Sequence, residues 1–100
     1  MSSKCISIDE AKALIDAKEV TLVDVRDPQS FSENHIQNSI NVQDQNIEDF
    51  LSNAKKDQPL IVYCYHGNTS QGAADYFCEI GFKKVYSIDG GFEEWRLKYS

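Results

Sequence analysis

The sequence is poor in most of the features that would set it apart from an ordinary globular protein. Two prolines and five glycines in 100 residues are too few for a fibrous or low-complexity chain. No stretch approaches the roughly 18 apolar residues of a membrane span. The start, "MSSKCISIDEAK", has no apolar core of a secretory signal. Positive charge is scarce, with 10 Lys and Arg against 16 Asp and Glu and a net charge of −6. Nucleic acid and anionic membrane surfaces both need a basic patch, so both are poor partners. Neither CxxC nor HExxH occurs, and no metal site is expected. The cysteines Cys5, Cys64 and Cys78 are odd in number and irregular in spacing, unlike a disulfide framework. Reduced thiols in a cytoplasm are the expectation.

What is present points to one domain over residues 1–100, since 41% hydrophobic and 26% charged residues suit a single packed core. Short strands alternate with short helices. "CISI" reads as a brief strand, and Ser7 stands three residues before Glu10, the spacing of a capping box. Ile8, Ala11, Leu14 and Ile15 then follow at helical period. "VTLVDV" (20–25) is a β-branched strand. Asp27 before Pro28 reads as an N-cap and first helical position, with a short helix or turn toward His35. "SINV" (39–42) is a further strand, and "IEDFLSNAKK" is amphipathic. "LIVYC" (60–64) is the most apolar strand, with Cys64 as its last residue. "QGAADYFCEI" is helical, stopped by Gly81, and "KVYSI" precedes "DGG" and a last helix holding Phe92, Trp95 and Arg96. This alternation predicts an α/β fold, a mostly parallel five-stranded sheet with helices on both faces. Such sheets bind ligands at the carboxyl ends of their strands, which is where Cys64 falls.

The segment that follows, "CYHGNTS" (64–70), combines a thiol with a short polar loop between a strand and a helix. Successive backbone N–H groups in such a loop converge as an anion nest, and the next helix adds about half an elementary charge at its N-terminus. Gly67 permits φ > 0, Asn68 tolerates it better than most residues, and Thr69 and Ser70 are available as caps. The same field favours a thiolate at Cys64, the nucleophilic form. A buried strand-end cysteine before a polar turn is the plainer alternative. His66 either steers an anion or is an exposed loop residue, and His35 reads as a structural hydrogen-bonder. Cys5 and Cys78 read as packing residues.

Three stretches in order, "LVDVRDPQSFSENHIQNSINV", "IVYCYHGNTSQGAADYF" and "VYSIDGGFEEW", resemble the signatures of the rhodanese (thiosulfate sulfurtransferase) family. The "CYHGN" loop is similar to that of its bacterial single-domain members. The resemblance implies a rhodanese-like domain in which Cys64 carries a persulfide and Tyr65, His66, Gly67, Asn68 and Thr69 offer backbone N–H groups to sulfur. It implies thiosulfate or another sulfane-sulfur donor, a cyanide, thiol or dithiol-protein acceptor, and no cofactor. By the same resemblance Asp24 and Arg26 support the fold near the site, as a structural ion pair. Four positions depart from the family pattern. Asn34 stands where glycine is common, Gln43 where proline is frequent, and Tyr65–His66 where many relatives carry Arg or Lys. A protein-to-protein sulfur relay or docking module is one alternative. A cysteine phosphatase or arsenate reductase is another, opposed by Ser70 standing where those loops need an arginine fork.

Overall fold

A computed structural model describes residues 3–99. The strands β1 (Lys4–Ile6), β2 (Thr21–Asp24), β3 (Ile40–Asn41), β4 (Leu60–Tyr63) and β5 (Val85–Ile88) form one sheet in the order β1-β5-β4-β2-β3. Every pairing is parallel, so the expected "mostly parallel" sheet is parallel throughout. The helices are α1 (Ile8–Asp16), α2 (Pro28–Glu33), α3 (Ile47–Asn53), α4 (Thr69–Glu79) and α5 (Gly91–Tyr99).

The local signals act as the sequence predicts. Ser7 accepts from the Glu10 N–H at 3.1 Å while Glu10 Oε1 accepts from the Ser7 N–H at 3.1 Å, so the capping box closes at both ends. Asp27 caps α2 through the Ser30 N–H at 3.1 Å, and Pro28 takes the first turn. Gly81 follows α4 at φ +115°. Two boundaries differ. The α3 helix stops at Asn53 because Ala54 is already extended at φ −80°, ψ 146°. The last strand residue before the loop is Tyr63, so Cys64 stands one position beyond the strand, where no neighbouring strand reaches it.

All of β4 is buried, as a strand covered on both faces must be. Its pleat sends Ile61 and Tyr63 into one apolar cluster with Ala11, Phe92 and Trp95, under α1 and α5. Leu60 and Val62 enter the other cluster with Phe50, Ala74 and Phe77, under α3 and α4. Each large side chain so buried contributes about 1.5–3 kcal/mol. The chain moves one way across the sheet through α1 and α2, then back through α3 and α4 on the opposite face, so all four crossovers share one hand. The reversal leaves the loops after β2 and β4 diverging from adjacent strands. That crevice is the topological switch point, and Cys64 lies at its floor.

Candidate active site

Cys64–Asn68 connect β4 to α4 and curl around the Cys64 sulfur. The Gly67 N–H donates to Sγ at 3.1 Å and the Ser70 N–H at 3.3 Å. The Ser70 hydroxyl oxygen stands 3.4 Å from Sγ and 2.7 Å from the Ser87 hydroxyl on β5. Cys64, Ser70 and Ser87 are all buried. Burial pushes the Cys64 thiol up, yet the Ser70 hydroxyl and the N–H groups of Ser70, Gly67 and His66 together hold it below its ordinary value. Cys5 and Cys78 shift the other way, each raised first by desolvation and then by nearby carboxylates. Of the three thiols, Cys64 alone is biased toward thiolate. Cys78 packs against the α3–α4 core as expected, whereas Cys5 is exposed and is not a packing residue.

Gly67 takes φ +96°, and a Cβ there would meet the Gly90 N and Ile88 O at 3.0 Å. Gln71 Nε2 donates to the Gly67 carbonyl at 2.9 Å and fixes the loop to the helix behind it. Two expectations for the loop need correction. Asn68 sits at φ −88° in ordinary helical geometry, so its tolerance of positive φ is not used. Neither Thr69 nor Ser70 is the cap. Asn68 occupies that position with no side-chain cap bond, Thr69 is the exposed first helical residue, and the Ser70 hydroxyl turns inward to sulfur. On the resting Sγ the N–H groups of Gly67 and Ser70 donate directly, and that of His66 adds to the lowering of the thiol. Tyr65 and His66 lie exposed on the rim, ring centroids 4.9 Å apart. The residues missed were Ser70 in this role and Ser87. The signal for Ser87 was a lone small polar residue within the apolar β5, on the same pleat face as Val85.

The start of α5 clamps the loop from the other side. The Phe92 N–H donates to the Cys64 carbonyl at 2.9 Å and the Glu93 N–H to the Tyr65 carbonyl at 3.0 Å. That contact needs Gly91, since a Cβ there would fall 2.5 Å from the Cys64 oxygen. Beneath Phe92 lies the buried Arg26, its guanidinium carbon 4.3 Å from the ring centroid. Arg26 forks onto Asp24, with Nε at 3.0 Å and Nη2 at 2.7 Å from Oδ2, and Nη2 also donates to the Asn34 carbonyl at 2.6 Å. The pair is structural, as expected. Asn34 is extended at φ −168°, so no glycine is needed there, and Gln43 donates to the Arg26 carbonyl. His35 bonds the Phe31 carbonyl at 2.7 Å and stacks on that ring, the expected structural role.

Among the described residues no group of three or more His, Cys, Asp or Glu is placed to hold a metal. No described helix is long and apolar enough to cross a membrane. The family model of the rhodanese-like domain matches residues 7–98. A thiosulfate sulfurtransferase GlpE of Pseudomonas syringae is 52% identical over 96 residues, covering 96% of this chain and 90% of that one. Its namesake in Vibrio cholerae is 48% identical over 90 residues, covering 90% and 85%. The crystal structure of a rhodanese-like domain protein from Staphylococcus aureus superposes with a TM-score of 0.79 at 28% identity, covering 92% of this chain and 90% of that one. With that match spanning most of its length, this chain belongs to the rhodanese-like domain family.

Proposed function

We propose that this protein is a thiosulfate sulfurtransferase working through a persulfide on Cys64. The observation that carries the reading is the bed of donors on Cys64 Sγ, which lowers the thiol at a buried strand end while the other two thiols are raised. The Cys64 thiolate attacks the outer sulfur of thiosulfate. The new Cys64 S–S bond forms as the S–S bond of thiosulfate breaks, and sulfite leaves with the electron pair. The persulfide keeps the one negative charge the thiolate brought. Its terminal sulfur extends into the loop, where the N–H groups of Tyr65, His66, Gly67, Asn68 and Thr69 offer the stabilisation an oxyanion hole gives to oxygen. A second nucleophile, such as cyanide, a thiol or a protein dithiol, then takes the sulfur and regenerates the thiolate. Dividing the transfer in this way gives ping-pong kinetics.

No cofactor enters this scheme. Three free thiols suit a reducing compartment such as the cytoplasm. The phosphatase alternative is disfavoured by Ser70, which is buried against the sulfur at the position where an arginine fork would be required. The test is intact mass after thiosulfate treatment. A gain of about 32 Da, one sulfur, is expected on the unsubstituted protein and on Cys5→Ser and Cys78→Ser, but not on Cys64→Ser. An adduct that survives Cys64→Ser, or none at any thiosulfate concentration, sinks the reading.

A further inference from the structure

The loop around Cys64 holds no lysine or arginine, yet the fold brings one to its rim from α5. Glu93 stands in the first turn of α5, tied by its own N–H to the Tyr65 carbonyl at 3.0 Å, one residue beyond the nucleophile. One turn further on, Arg96 forks onto both Glu93 oxygens, Nε at 3.0 Å and Nη2 at 2.5 Å. The Tyr65 side chain interacts with both members of this pair. Hydrogen bonding from Arg96, ahead of every other cause, holds the Glu93 carboxyl below its ordinary range. Glu93 is therefore an anion fastened at the mouth of a site built to receive anions.

We propose that the Glu93–Arg96 pair determines which donor charges the site accepts, with Arg96 cancelling the Glu93 carboxylate so that a dianionic sulfane donor can approach Cys64. The proposal rests on the sulfur-transfer reading above and adds two specificity-determining residues to it. Coulomb repulsion scales with the charge of the donor, so an uncancelled Glu93 penalises a dianion twice as much as a monoanion in free energy. The bidentate fork cancels the carboxylate at contact distance. Asp89 and Glu94 also stand near the loop, around Gly90, but neither is held by the fork that fastens Glu93, and salt screens the acidic groups farther off over about 8 Å. The rim pair is thus the local control that the loop itself lacks.

The experiment is steady-state ping-pong kinetics at low salt with two donors, thiosulfate as the dianion and benzenethiosulfonate as the monoanion, and cyanide as acceptor. Arg96→Gln is expected to raise KM for thiosulfate about threefold to tenfold, and KM for benzenethiosulfonate by about the square root of that factor. Glu93→Gln is expected to lower KM for thiosulfate, and the double variant to return close to the starting value. Values of kcat and KM for cyanide, which is protonated and neutral near pH 7, stay level, and added salt shrinks every difference. Equal changes for both donors, or a fall in kcat in both single variants, would show a merely structural contact and overturn the proposal. So would unchanged donor KM values in a protein that still gains the 32 Da sulfur. A protein that gains no sulfur at all loses the sulfur-transfer reading, and this proposal with it.

Discussion

At Cys64 the sulfur is drawn two ways. Burial disfavours the thiolate, while the loop donors and the Ser70 hydroxyl favour it and prevail. With the one Ser70 hydroxyl hydrogen directed at the thiolate, the 2.7 Å bond between Ser70 and Ser87 runs from the Ser87 hydroxyl to the Ser70 oxygen. Loss of a hydrogen bond to an ionised group costs about 1.5 kcal/mol, roughly tenfold in rate. Ser70→Ala is therefore expected to slow persulfide formation near pH 7 on the order of tenfold, with Ser87→Ala less affected. The sign with pH follows from the lowered thiol. Thiolate is lost as pH falls through the depressed value, so the acid limb of the rate profile lies below the ordinary thiol range. Ser70→Ala should move that limb to higher pH. Stopped-flow rates across pH, with one limb unmoved in both variants, would refute the relay. The cysteine and its loop were legible from residue types alone, since a thiol, a glycine and small polar residues follow an apolar run. The inward turn of Ser70 was not, because a hydroxyl in the first helical turn is equally suited to capping and only the approach of β5 decides between them.

Among the elements, the junction of α5 with the loop after β4 carries the strictest geometry. Gly91 has φ +57°, and any Cβ there would overlap the carbonyl oxygens of Cys64 at 2.5 Å and Tyr65 at 2.6 Å. Both obstacles are backbone, so neither can swing aside. Gly91→Ala is expected to cost about 2–3 kcal/mol in urea unfolding and to depress activity together with stability. Gly72, within α4 and with nothing near its missing Cβ, is the contrast. There Gly72→Ala should stabilise by about 0.5–1 kcal/mol and leave turnover unchanged. A similar response at both positions would disprove the steric account. Element identity was readable because periodicity and caps are local, as Ser7 with Glu10 and Asp27 with Pro28 demonstrate. The end of α3 at Asn53 was not, since Ala54 and the two lysines after it are good helix formers and the turn into β4 overrides them.

Across the whole molecule, the buried Asp24–Arg26 pair joins the end of β2 to the Asn34 carbonyl and to the Phe92 ring on α5, tying together the two sides of the crevice. Removing one partner of such a pair strands a buried charge. Arg26→Met is expected to lower stability by about 3–5 kcal/mol, and the double variant with Asp24→Leu to recover much of that loss. Denaturant titrations in which the double variant is the worse of the two would contradict this. The same packing explains why a protein of net charge −6 can hold a thiolate, because nearby donors act at hydrogen-bond distance and the acidic surface acts through screened solvent.

Taken alone, the sequence determined the order of strands and helices, the parallel α/β class and the place of the Cys64 thiol at the end of an apolar strand, because hydrophobic period, capping chemistry and turn residues act over a few positions. Tertiary structure alone decided which groups surround that thiol. Ser87, Gly91, Glu93 and Arg96 lie more than twenty residues from Cys64 along the chain. The crossover through α4 and the parallel pairing of β5 with β4 return them to one crevice. No local pattern encodes that return, since it follows from the direction in which each crossover packs across the sheet.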